Sequence, residues 1–447
     1  NDITTGVNNT LIGALAGDAI TTASNNTAVG FQALTANTTG HSNTAVGKDA
    51  LGANTEGFNN TAVGSLAMDA MTTGDYNIAL GGNALGSDTT GAGSTAIGYA
   101  ALTAQNSTTS ADMYNTAVGR EAGVAVTTGI RNTLVGALAG DALTDADRNS
   151  LLGYNALGAD TLGSRAVAIG YGALQTQNFT TATDNYNIGV GYNAGGGLTT
   201  GNQNTIVGGN AGDSLSNSDR NVAVGYFALT TDTLGQYNTA IGYGSLQTQN
   251  FTTATDSYNT AVGYGSGLSV TTGVQNTLIG GLAGDSLTDA TKNTTVGYAS
   301  GGALIDGVQN ILLGHEAGDA LTDADYNIAV GSDALGSDTK GSRNVAVGQE
   351  ALSAQNFTTS TDSYNTAVGM LAGKAVTTGI KNTTIGGLAG DALTDADLNT
   401  ALGYFSLSAD TLGSKSTAIG TGALKVQNFT TATDTFNTAV GFEAGLS

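Results

Sequence analysis

The chain has 447 residues, of which 68 are Gly and none is Pro, Cys or Trp; 11% are charged, and 13 basic against 35 acidic residues leave a net charge of −22. Without cysteine there are no disulfides or thiolate metal sites, the acidic balance argues against nucleic acid as a partner, and no run approaches the roughly 18 apolar residues of a membrane span. Proline cannot donate to a β-ladder, so its absence suits a backbone that is nearly all ladder.

A motif of the form Asn-Thr-Ala-Val-Gly, exact at Asn26 and Asn43 and varied elsewhere, recurs from Asn9 to Asn437 in 25 repeats separated by nineteen spacings of 17 residues and five of 21. That period is too short for helix-pair repeats, which need roughly 30 residues or more. With the Asn as position 1, Thr-Ala-Val is β-branched at positions 2 and 4 and alternates with period two, which predicts a strand. The Gly at position 5 turns the chain. A second short strand is expected over about positions 7 to 10, and the remainder is rich in Gly, Asp, Asn and Thr, as turns are.

The expected fold is therefore all-β: a parallel β-solenoid, or β-roll, of about 25 coils, 17 residues each with five 21-residue coils. It should run through residues 1–447 as one continuous domain with half-coils at 1–8 and 437–447. Stacked at about 4.8 Å per rung, such coils would make a rod of roughly 120 Å. Position 4 is Val, Ile or Leu in all 25 repeats and is expected to form the inward ladder, with the Ala or Ser of position 8 as the opposing wall. The Asn column is expected to bond amide to amide up the stack.

The 21-residue coils begin at Ser94, Ala166, Asn238, Asn344 and Ser416. Each extension carries Asn-x-Ser/Thr, at Asn106, Asn178, Asn250, Asn356 and Asn428. These are candidate glycosylation sites or a docking ridge, set against a plain Asn/Thr turn. In the plain reading Phe179, Phe251, Phe357 and Phe429 fold over the side of the rod, and Tyr114, Tyr186, Tyr258, Tyr364 and Phe436 pack under the bulge. The Asp-Ala-Asp pairs Asp145/Asp147, Asp323/Asp325 and Asp395/Asp397 read as solvated turns in preference to a calcium site. Eight of the 13 basic residues, Arg131, Arg148, Arg165, Arg220, Lys292, Arg343, Lys381 and Lys415, occupy position 17 and should face those turns, each in a weak ion pair.

His41 and His315 are the only histidines, and so many coils lie between them that no two-histidine metal site can form within one chain. No catalytic residue, metal ligand or cofactor site is expected, and the chain reads as non-enzymatic. The last repeat stops at position 11, and the opening Ile3-Thr4-Thr5-Gly6-Val7-Asn8 reads as the half that it lacks, like Val126 to Arg131. The expectation is a head-to-tail contact of Ile3, Thr4, Thr5, Gly6, Val7 and Asn8 in one copy with Asn437, Thr438, Val440, Gly441 and Gly445 in the next. A heterologous contact of this kind does not close and generates a filament.

The strings N-T-A-V-G-x-x-A-L and S-T-A-I-G-Y resemble head repeats of trimeric autotransporter adhesins and the repetitive shafts of bacterial and phage fibre proteins. The resemblance implies left-handed parallel β-rolls in which three chains pack side by side, and it marks no functional residue. The expected function is a structural fibre protein, extracellular or on the cell surface, whose partner is itself as a head-to-tail homopolymer or a homotrimer, without membrane insertion. The alternative is a trimeric adhesin head or tail-fibre shaft that binds a host surface or glycan.

Overall fold

The computed structural model describes residues 3–446; Asn1, Asp2 and Ser447, at the tips of the expected half-coils, lie outside the described residues. The chain is an all-β parallel β-solenoid of about 25 turns at 17-residue spacing. Its contacts divide into two compact units, Asn1–Arg220 and Asn221–Ser447. In the first, twelve three-residue strands from Thr10–Ile12 to Thr205–Val207 stack in parallel, and Thr27, Ala28 and Val29 stand opposite Thr44, Ala45 and Val46. The second holds thirteen such strands, from Val222–Val224 to Thr438–Val440, paired the same way. Four extensions add a two-residue strand to the rung before them: Thr183–Asp184 on Gly163–Ser164, Thr255–Asp256 on Gly235–Gln236, Thr361–Asp362 on Gly341–Ser342, and Thr433–Asp434 on Gly413–Ser414.

The strand expected over positions 7 to 10 is a run of turns instead. Positions 7 and 9 take left-handed φ, 58° at Gln32 and 52° at Leu34, which an extended strand cannot contain. For a non-glycine residue this costs roughly 1 kcal/mol. Rung-to-rung hydrogen bonds offset it: Leu34 N donates to Ala50 O at 3.0 Å and Ala36 N to Gly52 O at 3.1 Å. This wall is thus a ladder built from turns. The position 5 glycines all lie at φ between 126° and 149°, and a Cβ on Gly30 would run into the carbonyl of Gly47 on the next rung. Only glycine fits this column.

The position 4 expectation is overturned. Position 3 points inward, and positions 2 and 4 point out: Ala28, Ala45 and Ala261 are fully buried, whereas Ile12 is 59% and Leu152 52% exposed. Strand parity explains the reversal. The position 1 Asn turns inward, as at Asn26 and Asn43, so alternate residues place position 3 inside and position 4 outside. The core consists of positions 3, 8, 9, 12 and 15, for example Ala45, Ala50, Leu51 and Asn54, and Ala146 at position 15. Its volume is shared between rungs. Where position 3 is large, position 9 nearby is Gly: Leu134 fills the space a Cβ on Gly123 would need, and Leu278 does so at Gly267 and Gly284.

The parity yields a paired test. Ala261→Asp buries a carboxylate without a partner and should cost several kcal/mol. Val262→Asp on the outward face should cost no more than about 1 kcal/mol. Thermal unfolding and protease resistance of the two variants check this, and equal losses would refute the assignment.

Candidate interaction surface and the extension sockets

The outward sheet face carries two columns. Position 2 is Thr, Ser, Ile or Val and position 4 is Val, Ile or Leu, so none of the 25 coils places a charge there. Large apolar side chains stand half-exposed along it, among them Ile78, Ile97, Ile169, Ile279, Ile311 and Leu402. Position 6 follows the glycine turn and is often Tyr. Tyr154, Tyr171 and Tyr192 stack with centroids 5.3 and 5.5 Å apart in the first unit, and Tyr226, Tyr243 and Tyr264 at 5.8 and 5.4 Å in the second.

Each extension rests on a buried polar socket that sequence reasoning missed. Asp88, Asp160, Asp232, Asp338 and Asp410 occupy position 12 of the preceding rung and are fully buried. Taking Asp160, its Oδ2 accepts from Gln177 Nε2 at 2.6 Å, while Oδ1 accepts from Gly163 N and Phe179 N, both at 3.0 Å. Gln177 Oε1 then accepts from Asn187 Nδ2 on the following rung at 2.8 Å. The other four sockets repeat these bonds, with Ser107 in place of the Phe at Asp88. In all five cases Asp at position 12 is followed by a 21-residue coil, and no other coil has Asp there. The signal lay in the co-occurrence of the Asp in L-G-A-D-T-L-G with the Gln in Q-N-F-T-T.

Of the aromatic residues of the extensions, the Phe column lies against the rod as expected, but the Tyr column does not pack under the bulge. Phe179, Phe251 and Phe357 are buried, pinned through their backbone N–H by the socket, whereas Tyr114, Tyr186, Tyr258, Tyr364 and Phe436 are exposed. The candidate glycosylation residues Asn106, Asn178, Asn250, Asn356 and Asn428 each accept, through Oδ1, from a Thr hydroxyl on the preceding rung at 3.1 or 3.2 Å.

In each Asp-Ala-Asp pair the second Asp accepts from a backbone N–H of the rung before it, Asp147 from Ile130, Asp325 from Val308 and Asp397 from Ile380, all at 2.8 Å; Asp145 and Asp395 also accept from the Thr128 and Thr378 hydroxyls at 2.6 Å, while Asp323 lies 3.3 Å from Lys340. At position 17, Arg148 lies 3.9 Å from Asp147, but Arg165, Arg343 and Lys415 pair with extension carboxylates instead, Asp184, Asp362 and Asp434. Arg165 also donates to the Tyr186 hydroxyl, and Arg343 lies between the Tyr326 and Tyr364 rings. The side-chain amide at position 1 bonds mainly to backbone: Asn43 N donates to Asn26 Oδ1 at 2.9 Å, and Asn43 Nδ2 to Gly57 O at 2.8 Å. Direct amide pairing supplements this at Asn132 and Asn115, 3.2 Å apart.

Of the expected assembly residues, Ile3–Asn8 fill positions 12 to 17 above the first full coil, with Thr4 N donating to Thr21 O at 2.9 Å and Asn8 Nδ2 to Asn25 Oδ1 at 3.1 Å. Asn437, Thr438, Val440, Gly441 and Gly445 belong to the other unit, where Thr438–Val440 pair with Thr417–Ile419. Among the described residues no three His, Asp or Glu gather as a metal ion would need, and no helix is long and apolar enough to cross a membrane. No protein-family model and no curated protein matches the chain.

Asp160→Ala should orphan one side-chain and two backbone donors, each worth about 1–3 kcal/mol when buried. Proteolysis within residues 178–184 should then rise sharply, with Asp145→Ala as the silent control; an unchanged cleavage pattern would refute the socket.

Burial pushes the carboxyls of Asp69, Asp141, Asp285, Asp319 and Asp391, all at position 10, above the ordinary 3.8, with neighbouring acids adding to it at Asp69, Asp141 and Asp319. Asp289 is held below it by hydrogen bonds from Thr272 and Thr271. A raised native value means that the folded state binds the proton more tightly, so stability rises as pH falls from neutrality towards 3.8. Relief of self-repulsion from the net charge acts in the same direction. The melting temperature should therefore be higher in mild acid than at pH 7, and less so in an Asp141→Asn/Asp319→Asn variant. A fall on mild acidification would contradict this.

Proposed function

We propose that the chain is a non-enzymatic structural fibre protein of the extracellular space or cell surface, whose copies associate with one another. The observation that carries this is the outward face of the sheet, where half-exposed aliphatic side chains recur at position 4 on coil after coil without a charge. A chain of net charge −22 repels its own copies over most of its surface. The same face of a second copy brings no like charge with it, and burying both removes apolar surface from water. Side-by-side packing of this kind favours the second reading as well, a trimeric adhesin head or tail-fibre shaft that meets a host surface or glycan. The longitudinal part of the proposal is the half-coil contact of Ile3–Asn8 with Asn437–Gly445.

Light scattering coupled to size exclusion, with negative-stain microscopy, tests both contacts. The intact chain should give oligomers or filaments, and Val262→Lys/Ile279→Lys/Val296→Lys should dissociate the lateral contact while leaving the circular dichroism spectrum unchanged. Removal of residues 1–8 should abolish end-to-end growth alone. A monodisperse monomer at high concentration would overturn the proposal.

A further inference from the structure

We propose that the two tyrosine triads at position 6 are sites of oxidative cross-linking, at which dityrosine bonds staple adjacent rungs of the same chain. This needs no second copy, so it stands apart from self-association. In the first unit the rings of Tyr154 and Tyr171 lie 17° from parallel, and those of Tyr171 and Tyr192 12°. In the second, Tyr226 to Tyr243 and Tyr243 to Tyr264 differ by 28° and 14°. Their backbones belong to paired neighbouring coils, held about 4.8 Å apart by the ladder, so each phenol has a partner that cannot diffuse away. All six are roughly half-exposed, from 46% at Tyr154 to 63% at Tyr264, so an oxidant reaches them.

The co-reactant is hydrogen peroxide, used by a haem peroxidase. One electron and one proton leave each of two neighbouring phenols, and the peroxide takes up both pairs to become two waters. The two phenoxyl radicals couple through the carbons ortho to oxygen, forming one carbon–carbon bond. Each ring then moves its displaced ortho hydrogen to its oxygen and regains aromaticity. The product is lighter by two hydrogen atoms. In a chain with no Cys, this chemistry gives coils a covalent tie that disulfides cannot supply.

The same column contains its own controls. Tyr99, Tyr298 and Tyr404 are equally exposed but have Gly82 and Arg120, Gly281 and His315, and Gly387 and Thr421 on the rungs either side. Dilute full-length protein is treated with peroxidase and peroxide, digested with trypsin and mapped by mass spectrometry. Trypsin cuts after Arg148, Arg165 and Arg220, so a Tyr154–Tyr171 bond joins peptide 149–165 to peptide 166–220. That joined peptide is expected in the monomer fraction and should be absent from Tyr171→Phe, which removes the shared phenol hydroxyl but keeps the ring and the stack. The proposal is overturned if the joined peptide does not form, if it persists in Tyr171→Phe, if dityrosine arises only between chains, or if Tyr99 and Tyr404 enter intrachain bonds as readily.

Discussion

The carboxamide at position 1 works in two directions at once. Asn60 Nδ2 donates to Gly74 O at 2.7 Å and so closes its own coil, while Asn60 Oδ1 accepts from Asn77 N at 2.9 Å and so ties that coil to the next. A coil with neither bond would carry buried backbone groups without partners, which a packed interior does not tolerate. Everything else depends on this clamp. It turns position 1 inward, parity then turns position 3 inward and position 4 outward, and the glycine at 5 lets the chain leave the strand where the next rung sits too close for a Cβ.

The exceptions show how strict the requirement is. Position 1 is Ser94, Ala166 or Ser416 in three coils, and all three are extended. There the Gln at position 12 reaches across: Gln105 Nε2 donates to Ser94 Oγ at 3.1 Å, and Gln427 Nε2 to Ser416 Oγ at 2.8 Å. At Ala166 no side chain can accept, and Asn185, within the extension, takes the N–H of Asn187 instead at 2.9 Å. The buried Asp holds the Gln in all five extended coils, including those of Asn238 and Asn344, which keep the position 1 carboxamide and its bond from the next rung.

Period, strand position and the invariant glycine were legible from spacing alone, because identical columns must repeat if rungs are to pair. The direction of the side chains was not. Val and Ile at position 4 have the composition of a core, and Ala at position 3 looks like filler. What decides between them is the narrowness of the coil, where Ala45 faces the opposing wall at Ala50 and Leu51 and nothing larger fits unless position 9 becomes glycine. The turn wall was misread for a related reason: Ala-Leu suggests a strand, but Leu34 and Leu51 accept left-handed backbone that propensity alone would not assign to leucine. The Asp–Gln sockets escaped notice because each half sits in a different coil type, so neither half looks unusual in its own repeat.

The sharing of core volume between neighbouring coils bears on how such a gene can change. The extended coils recur at intervals of 72 residues except once, between Asn238 and Asn344, where the interval is 106 and two further 17-residue coils, beginning at Asn293 and Asn310, are present. The interior does not register them as foreign: Leu287, Leu304 and Leu321 continue one position 12 column, and the next socket at Asp338 is intact. Whole-coil duplication therefore meets almost no structural resistance, whereas loss of a single residue would put every later column out of line. Selection acting on a chain like this sees its length as a count of coils, adjustable by recombination between near-identical repeats, while the sequence within each coil stays under the full constraint of the stack.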